Sequence, residues 1–296
     1  MRVGHELLDL ARASGARSLF VVGIGKNVGK TVAMRAIYEA AVERGIATAL
    51  TSIGRDGEAV DAGDAAPKPR LHLFADTVIA TAQGVLPRFP ASEMLDFAGL
   101  GTAAGPLLYV RVVHPGYYEL VGPPTASGIR KVVAELSARS ELTLVDGAID
   151  RVAALAGGED AIVVSCGAAA ATTMAEAVDA VRALVERLAI PAADPREEAL
   201  AIEGALTAQR AAQLIAARER RQVVVRDPTQ VAIAGRAASQ ALAHLRIRCE
   251  RPLRLIAATV ASIGRERWFE PRAFAREVAR ATGLPTFDVY LAERAA

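Results

Sequence analysis

The chain of 296 residues lacks the features that mark secreted, membrane-spanning or nucleic-acid-binding proteins. Its two cysteines, Cys166 and Cys249, are too few for a disulfide framework and have no C-x-x-C spacing for zinc. No run of about twenty apolar residues is free of charge, and the N-terminal stretch has no continuous apolar segment of the signal-peptide kind. The 35 Lys and Arg residues nearly balance the 33 Asp and Glu residues, which leaves no basic excess for nucleic acid. We therefore expect a cytoplasmic protein with free thiols that binds neither nucleic acid nor a membrane.

Aromatic residues are also scarce, at 4% of the chain, although 52% of its residues are hydrophobic. The core must therefore be built from Ala, Val, Leu and Ile. Apolar stretches typical of buried strands alternate with segments of helical periodicity, which predicts right-handed β-α-β units. The expected fold class is α/β, with a mostly parallel sheet that has helices on both faces.

The stretch FVVGIGKNVGKTVAMRAI, residues 20–37, places a glycine-rich turn between an apolar strand and a helix. Glycines let backbone N–H groups approach a polyphosphate without obstruction, and the start of the following helix adds a partial positive charge. Lys30 can then reach the β- and γ-phosphates, while the Thr31 hydroxyl can ligate Mg²⁺. The pattern therefore predicts a phosphate-binding loop (P-loop) for a nucleoside triphosphate.

The spacing of this loop is not the commonest one. The usual pattern, G-x-x-x-x-G-K-[ST], would need a glycine at Ile24, whereas the first glycine here is Gly23. A dinucleotide-binding pattern fails, because Val28 stands where its third glycine would be. Lys26 is open to two interpretations, a second phosphate contact or a solvent-exposed loop lysine. The residues expected to bind the nucleotide are Gly23, Gly25, Lys26, Asn27, Val28, Gly29, Lys30, Thr31 and Val32.

Two acidic residues are candidates to support Mg²⁺. Asp146 ends the apolar strand in LTLVDGAID, where a metal-binding aspartate of such proteins belongs, although Asp-Gly is also a common turn pair. Asp56, in TSIGRDGE, follows the second predicted strand and is either a metal-side residue or part of a polar turn. We therefore expect Thr31, Asp56 and Asp146 at the metal. The predicted catalytic residues are Lys30, Asp56 and Asp146.

The segment PAADPREEA, bounded by prolines, is the best candidate for a domain boundary. We predict a P-loop nucleotide-binding domain over 1–190 and a C-terminal α/β extension over 191–296. The last strands of that extension could join the same sheet or form a small lobe.

Several segments, taken in order, resemble the P-loop subunit of the lysine 5,6-aminomutase reactivase. They are VGIGKNVGKTVAMRAI, LTSIGRDGE, PGYYELVGPPTASGIRKVV, LVDGAIDR, IVVSCGAA and EPRAFAREVARATGLPTFDV. The loop spacing itself resembles that of dethiobiotin synthetase, within the same broad group of P-loop NTPases. The resemblance implies a homodimer that uses ATP and Mg²⁺ to reactivate a cobalamin-dependent aminomutase together with a MutS-like ATPase.

Three functions stay open on the sequence alone. The first is a nucleotide-driven helper that remodels a protein partner. The second is a small-molecule synthetase of the dethiobiotin or cobyrinate type, which phosphorylates a carboxylate and would need a basic pocket from residues such as Arg55, Arg111 and Lys131. The third is a nucleotide-binding module without turnover. ATP is favoured over GTP, because no N-K-x-D guanine motif is visible.

Overall fold

The computed structural model describes residues 2–53, 70–87, 91–147, 160–233, 235–264 and 266–291. The seven helices within these ranges are α1 (Arg2–Ala13), α2 (Lys30–Glu43), α3 (Ala126–Arg139), α4 (Met174–Leu188), α5 (Ala208–Ala216), α6 (Gly235–His244) and α7 (Pro271–Thr282). The first eight strands are β1 (Ser18–Gly23), β2 (Thr48–Ser52), β3 (Leu71–Leu73), β4 (Val78–Ala82), β5 (Ser92–Thr102), β6 (Gly105–Val112), β7 (Gly116–Tyr118) and β8 (Leu142–Asp146). The other eight are β9 (Ala161–Gly167), β10 (Ala199–Ala201), β11 (Leu206–Thr207), β12 (Gln222–Val225), β13 (Val231–Ala232), β14 (Arg246–Cys249), β15 (Arg254–Ala261) and β16 (Thr286–Asp288).

A nine-stranded sheet forms the centre of the molecule, with the order β16-β15-β9-β1-β8-β2-β4-β6-β5. All neighbouring pairs are parallel except those that β6 makes with β4 and β5. The strands at the centre are apolar and fully buried, as a sheet covered on both faces requires. The expected α/β class with a mostly parallel sheet is therefore confirmed.

Helices cover both faces of this sheet. One face packs against α1 and α2, through side chains such as Leu7, Leu8 and Ile37. The other face packs against α3, α4 and α7, through side chains such as Val181 and Phe274. The carboxyl ends of the parallel strands consequently meet at one edge, where the loops between strands and helices can come together.

A second, smaller sheet lies between α4 and β15 in the sequence. It has the parallel order β10-β12-β14, with the short pair β11 and β13 beside it and its own apolar core, which includes Val223, Val225 and Ile247. The chain then returns to the main sheet, because β15 pairs with β9 and β16 pairs with β15. The last strands thus join the large sheet, while residues 199–249 form the small one. The domain boundary between 190 and 191 stays a prediction.

No helix in the described part of the chain is long and apolar enough to cross a bilayer.

Candidate functional site

Residues 23–31, which we call the glycine loop, connect β1 to α2 at the carboxyl edge of the main sheet. Gly29 has a φ of +89°, a left-handed conformation that strains any residue with a Cβ. A Cβ on Gly23 would lie 2.6 Å from Val28 Cγ2 and 2.9 Å from the Ser165 carbonyl oxygen. Glycine is therefore required at Gly29 by its backbone conformation and at Gly23 by close packing.

The start of α2 differs from that of the other helices whose N-cap the structure describes. In α3, α4, α5 and α7 a side chain accepts a hydrogen bond from a first-turn amide; these caps are Thr125, Thr173, Thr207 and Glu270. Gly29 occupies the same place in α2 and has no side chain to do so. First-turn amides have no partner inside their own helix, and they carry the positive end of the helix dipole. This helix end is therefore suited to an anion.

Two side chains from the first turn of α2 lie at this end. The Lys30 Nζ donates a hydrogen bond to the Gly25 carbonyl oxygen at 2.5 Å, so its ammonium group folds back over the glycine loop. The Thr31 hydroxyl donates to Asp146 Oδ2 at 3.4 Å. The structure thus brings Lys30, Thr31 and Asp146 to one place, as the sequence predicts.

Asp146 reaches Thr31 because β8 lies directly beside β1. Val21 is the register partner of Asp146 across these parallel strands, and Ser52 is its partner on β2. The carboxylate stands at the last residue of β8, and its backbone carbonyl accepts a hydrogen bond from the Ile53 amide at 2.9 Å. The sheet therefore fixes Asp146 at its carboxyl edge.

The other residues predicted to bind the nucleotide divide into two groups. The Val28 side chain is buried, and a Cβ on Gly167 would lie only 2.7 Å from Val28 Cα, so this part of the loop packs against the end of β9. Val32 is half-buried and packs against the core. Val28 and Val32 can therefore serve a ligand through their amides only. The side chains of Lys26 and Asn27 are exposed, with Asn27 at a φ of +55°.

The oxygen atoms at this site suit Mg²⁺, which prefers hydroxyl and carboxylate oxygens and keeps several waters beside substrate phosphates. Thr31 and Asp146 supply one oxygen of each kind. Within the described ranges no group of three or more His, Cys, Asp or Glu side chains could hold a metal. A metal ion here would therefore depend on phosphate oxygens and water for its other ligands. Asp56 and Arg55 lie outside the described residues.

Cys166, the second-last residue of β9, lies near the same edge, but its thiol is not reactive. Burial raises the pKa of its thiol to about 12, and its Sγ donates to the Ala177 carbonyl oxygen at 3.4 Å. A protonated thiol is a poor nucleophile and a poor metal ligand. Cys166 therefore contributes packing and not chemistry.

The basic residues considered for a small-substrate pocket lie elsewhere. Arg111 is the register partner of Val78, at the amino end of β4, and pairs with Glu93 at 3.1 Å. Lys131 donates to the carbonyl oxygen of Ala98 on β5 at 2.9 Å. Arg111 is thus at the opposite edge from Asp146, and neither side chain is seen beside the glycine loop.

Two polar residues that sequence reasoning did not select also lie at this edge. Ser262 follows the last residue of β15, and Asp288 is the last residue of β16. Both are buried, at 1% and 4% exposure. For Asp288 the available signal was the single carboxylate in the segment PTFDVYLA, and for Ser262 there was none.

Comparisons of the chain with protein-family models, with curated proteins and with solved structures found no match. The resemblance of several sequence segments to the aminomutase reactivase therefore stays a prediction. What this site does has to be argued from its own geometry.

Proposed function

We propose that the protein is a Mg²⁺-dependent P-loop NTPase that binds ATP in the glycine loop. The observation that carries this proposal is the contact between the Thr31 hydroxyl and Asp146 Oδ2 at 3.4 Å, at the uncapped start of α2. A hydroxyl and a carboxylate from different elements meet where a helix dipole favours negative charge. A plain structural turn between β1 and α2 would require neither group.

Each side chain has a separate task in this proposal. Lys30 would exchange the Gly25 carbonyl oxygen for a phosphate oxygen, which is a stronger, charged acceptor. The loop amides would surround the β-phosphate, where the missing side-chain cap leaves room. Thr31 and Asp146 would hold Mg²⁺, whose charge offsets the negative charge of the phosphates. Asp56 remains a predicted metal-side or water-orienting residue.

We propose that the protein uses nucleotide binding to reactivate a cobalamin-dependent aminomutase. It would do so as a homodimer, together with a MutS-like ATPase. The support for this part is the resemblance of sequence segments alone. The synthetase alternative has less support, because Arg111 and Lys131 already contact Glu93 and the Ala98 carbonyl, away from the loop.

Nucleotide binding is tested by titration calorimetry with Mg-ATP on the wild type and on Lys30→Ala. We expect the substitution to weaken binding about a hundredfold, since it removes a charged hydrogen bond to phosphate. Lys131→Ala is the matched control, because Lys131 also donates to a backbone carbonyl oxygen and lies on another element. Equal Mg-ATP affinity in the wild type and Lys30→Ala would refute the site.

Whether the protein hydrolyses ATP, and whether partner proteins stimulate this hydrolysis, needs a second measurement. ATP hydrolysis by the pure protein is compared with hydrolysis in the presence of a cobalamin-dependent aminomutase and a MutS-like ATPase. Stimulation by these proteins, absent in Lys30→Ala, is the expected result. Stimulation by a small carboxylate and not by the proteins would favour the synthetase instead.

A further inference from the structure

Trp268 is the single tryptophan of the chain, and it is 60% exposed. Tryptophan is a highly buried residue on average, because its indole ring has a large apolar surface. Exposed tryptophans recur where proteins bind a ligand or a partner, since the flat ring gives a large contact area. The surroundings of Trp268 show which contact this indole can make.

Trp268 belongs to a hairpin that follows β15, which we call the tryptophan hairpin (residues 262–264 and 266–269). Ile263 and Trp268 form an antiparallel bridge, and the Phe269 amide donates to the Ser262 carbonyl oxygen at 3.0 Å. Because β15 ends at the carboxyl edge of the main sheet, this hairpin stands above the edge that also carries the glycine loop.

The segment after β9, residues 168–170, lies between the tryptophan hairpin and the glycine loop. A Cβ on Gly264 would lie 3.1 Å from the Ala169 nitrogen, so the hairpin packs closely on this segment. A Cβ on Gly25 would lie 3.5 Å from Ala170 Cβ, so the glycine loop contacts the same segment. The hairpin is therefore a fixed neighbour of the glycine loop.

The indole projects from the face of the hairpin that is turned toward the glycine loop. A Cβ on Gly29 would lie 2.9 Å from Ala261 Cβ, so the last side chain of β15 is on that face. Side chains alternate along an extended chain, which puts Ile263 on the same face as Ala261. Opposite residues of an antiparallel pair share a face, so Trp268 is on the face of its partner Ile263.

The residue after Trp268 supports this direction independently. The Phe269 ring packs edge-on against Phe274 of α7, with 5.1 Å between the ring centroids. Both rings belong to the apolar cluster on the α7 face of the main sheet, whereas the glycine loop leads into α2 on the other face. Consecutive side chains of an extended chain point in opposite directions, so Trp268 points to the α2 side.

Building on the proposed triphosphate site, we infer that the Trp268 indole binds the nucleoside by stacking on its base. A strand rises about 3.3 Å per residue, so Ile263 and Trp268 stand about 6–7 Å farther from the sheet than Ala261. A triphosphate held by the amides of the glycine loop would span this interval with its α-phosphate and ribose. Its base would then lie beside the indole.

Stacking suits an exposed indole. The base reaches Trp268 from solvent, so neither a closed cavity nor a movement of the tryptophan hairpin is needed. Every nucleobase has a π-face, so this contact supplies affinity for the nucleoside without a hydrogen bond to the base. The phosphate groups and the base would thus be held by separate parts of the carboxyl edge, the glycine loop and the tryptophan hairpin.

The test compares the affinities of the wild type for the Mg²⁺ complexes of ATP and of ribose 5-triphosphate, which is ATP without its base. We expect ATP to bind about tenfold more tightly, which is the size of effect that base stacking on an aromatic side chain gives. Acrylamide quenches the fluorescence of an exposed indole by collision. We expect ATP to protect Trp268 from this quenching and ribose 5-triphosphate to leave it unprotected.

Two variants make the test sharper. In Trp268→Ala the affinity for ATP should fall to that for ribose 5-triphosphate, which itself should stay within about twofold of the wild type. Trp268→Phe keeps an aromatic face and should recover most of the ATP affinity. Tyr117→Ala is the matched control, because Tyr117 is a 66% exposed aromatic residue on β7, outside the main sheet.

The outcomes separate this inference from the function on which it rests. Equal affinity of the wild type for ATP and ribose 5-triphosphate, both lost in Lys30→Ala, would overturn base stacking and leave the phosphate site standing. Wild-type ATP affinity in Trp268→Ala would also overturn it. The ribose 5-triphosphate comparison uses the wild type, so it decides the matter even if a variant fails to fold. Absence of binding by either compound would refute both proposals.

Discussion

The turn after β1 in the large sheet and the turn after β12 in the small sheet treat their backbone amides in opposite ways. After β1 in the large sheet, the helix start is Gly29, which offers no side chain to the first-turn amides. After β12 in the small sheet, Asp227 is buried, accepts from the Thr229 amide at 3.0 Å and pairs with Arg226 at 3.1 Å. The turn after β12 therefore satisfies a backbone donor with a side chain of its own, while the start of α2 has no side-chain cap. Both turns follow parallel strands, so the difference between them is the missing cap, on which the proposed phosphate site depends.

The two sheets also have separate cores. The small core, which includes Val223 and Ile247, does not share residues with the clusters that pack on the large sheet. Separate cores predict that the sheets can lose stability independently. Nucleotide binding, which we propose for the large sheet, should then persist when a substitution destabilises the small sheet.

The largest expected effect comes from matched truncations in the two cores. Ile247, at 3% exposure, lies in the small core, and Ile162, fully buried, lies on β9 beside β1. Truncating either to Ala should cost about 2–5 kcal/mol of the stability of its own sheet. We expect Ile247→Ala to keep Mg-ATP affinity within twofold and Ile162→Ala to weaken it. Urea unfolding and calorimetry measure both effects. If Ile247→Ala weakened nucleotide binding as much as Ile162→Ala, the two regions would form one unit.

A smaller effect separates the glycine loop from an ordinary helix end. Gly29 and Gly283 both have left-handed φ values, +89° and +71°. Either one changed to Ala should cost about 1–2 kcal/mol through backbone strain. Gly29→Ala also pushes a Cβ to within 2.9 Å of Ala261 Cβ, whereas nothing lies within 4 Å of a Cβ on Gly283. We therefore expect Gly29→Ala to lose more stability in urea unfolding, and to bind Mg-ATP more weakly.

Gly283→Ala serves as the control for this comparison, because it carries the strain without the contact. An equal stability loss in both variants, with wild-type Mg-ATP affinity in each, would show that the packing of Gly29 has no importance for the loop.

The sequence predicts the local structure at the centre of the fold, while the role of the candidate site stays a prediction. The strand at β1, the helix at α2 and the strand that ends at Asp146 follow from local patterns, namely glycine spacing and apolar runs. The contact of Thr31 with Asp146 joins residues 115 positions apart, and it was predictable because parallel strands end at one edge. Local chemistry and a general rule of topology were sufficient here.

The sequence predicts a C-terminal α/β extension but not the separate small sheet within it. Its strands β10, β12 and β14 have 3, 4 and 4 residues, and the neighbouring β11 and β13 have two each, so these segments have too little periodicity to stand out. β5 and β6 form a hairpin joined by two residues, which makes them antiparallel, but the pairing of β6 with β4 brings together segments that are distant in the sequence. Ser262 Oγ and Asp288 Oδ2 stand out only in the structure, where both atoms are buried without a hydrogen-bond partner. Burial of that kind is a tertiary property.

The smallest expected effect uses one cysteine in each sheet. Cys166 lies on β9 and Cys249 on β14, and burial raises the pKa of these thiols to about 12 and about 11. Because only the thiolate reacts, labelling at pH 8 has to wait for the surrounding sheet to open. We expect Cys249 to react about tenfold faster, since a smaller core opens at lower free energy.

Mg-ATP turns this labelling experiment into a test of coupling between the two sheets. A ligand that binds only the folded large sheet lowers the population of its open form, so it should slow the labelling of Cys166. The labelling of Cys249 should not change, because its sheet opens while the glycine loop stays intact. Single-thiol variants, Cys166→Ala and Cys249→Ala, assign each rate to its residue. If Mg-ATP protected both thiols equally, opening would be global, and the small sheet would be part of the nucleotide-binding unit rather than a separate region beside it.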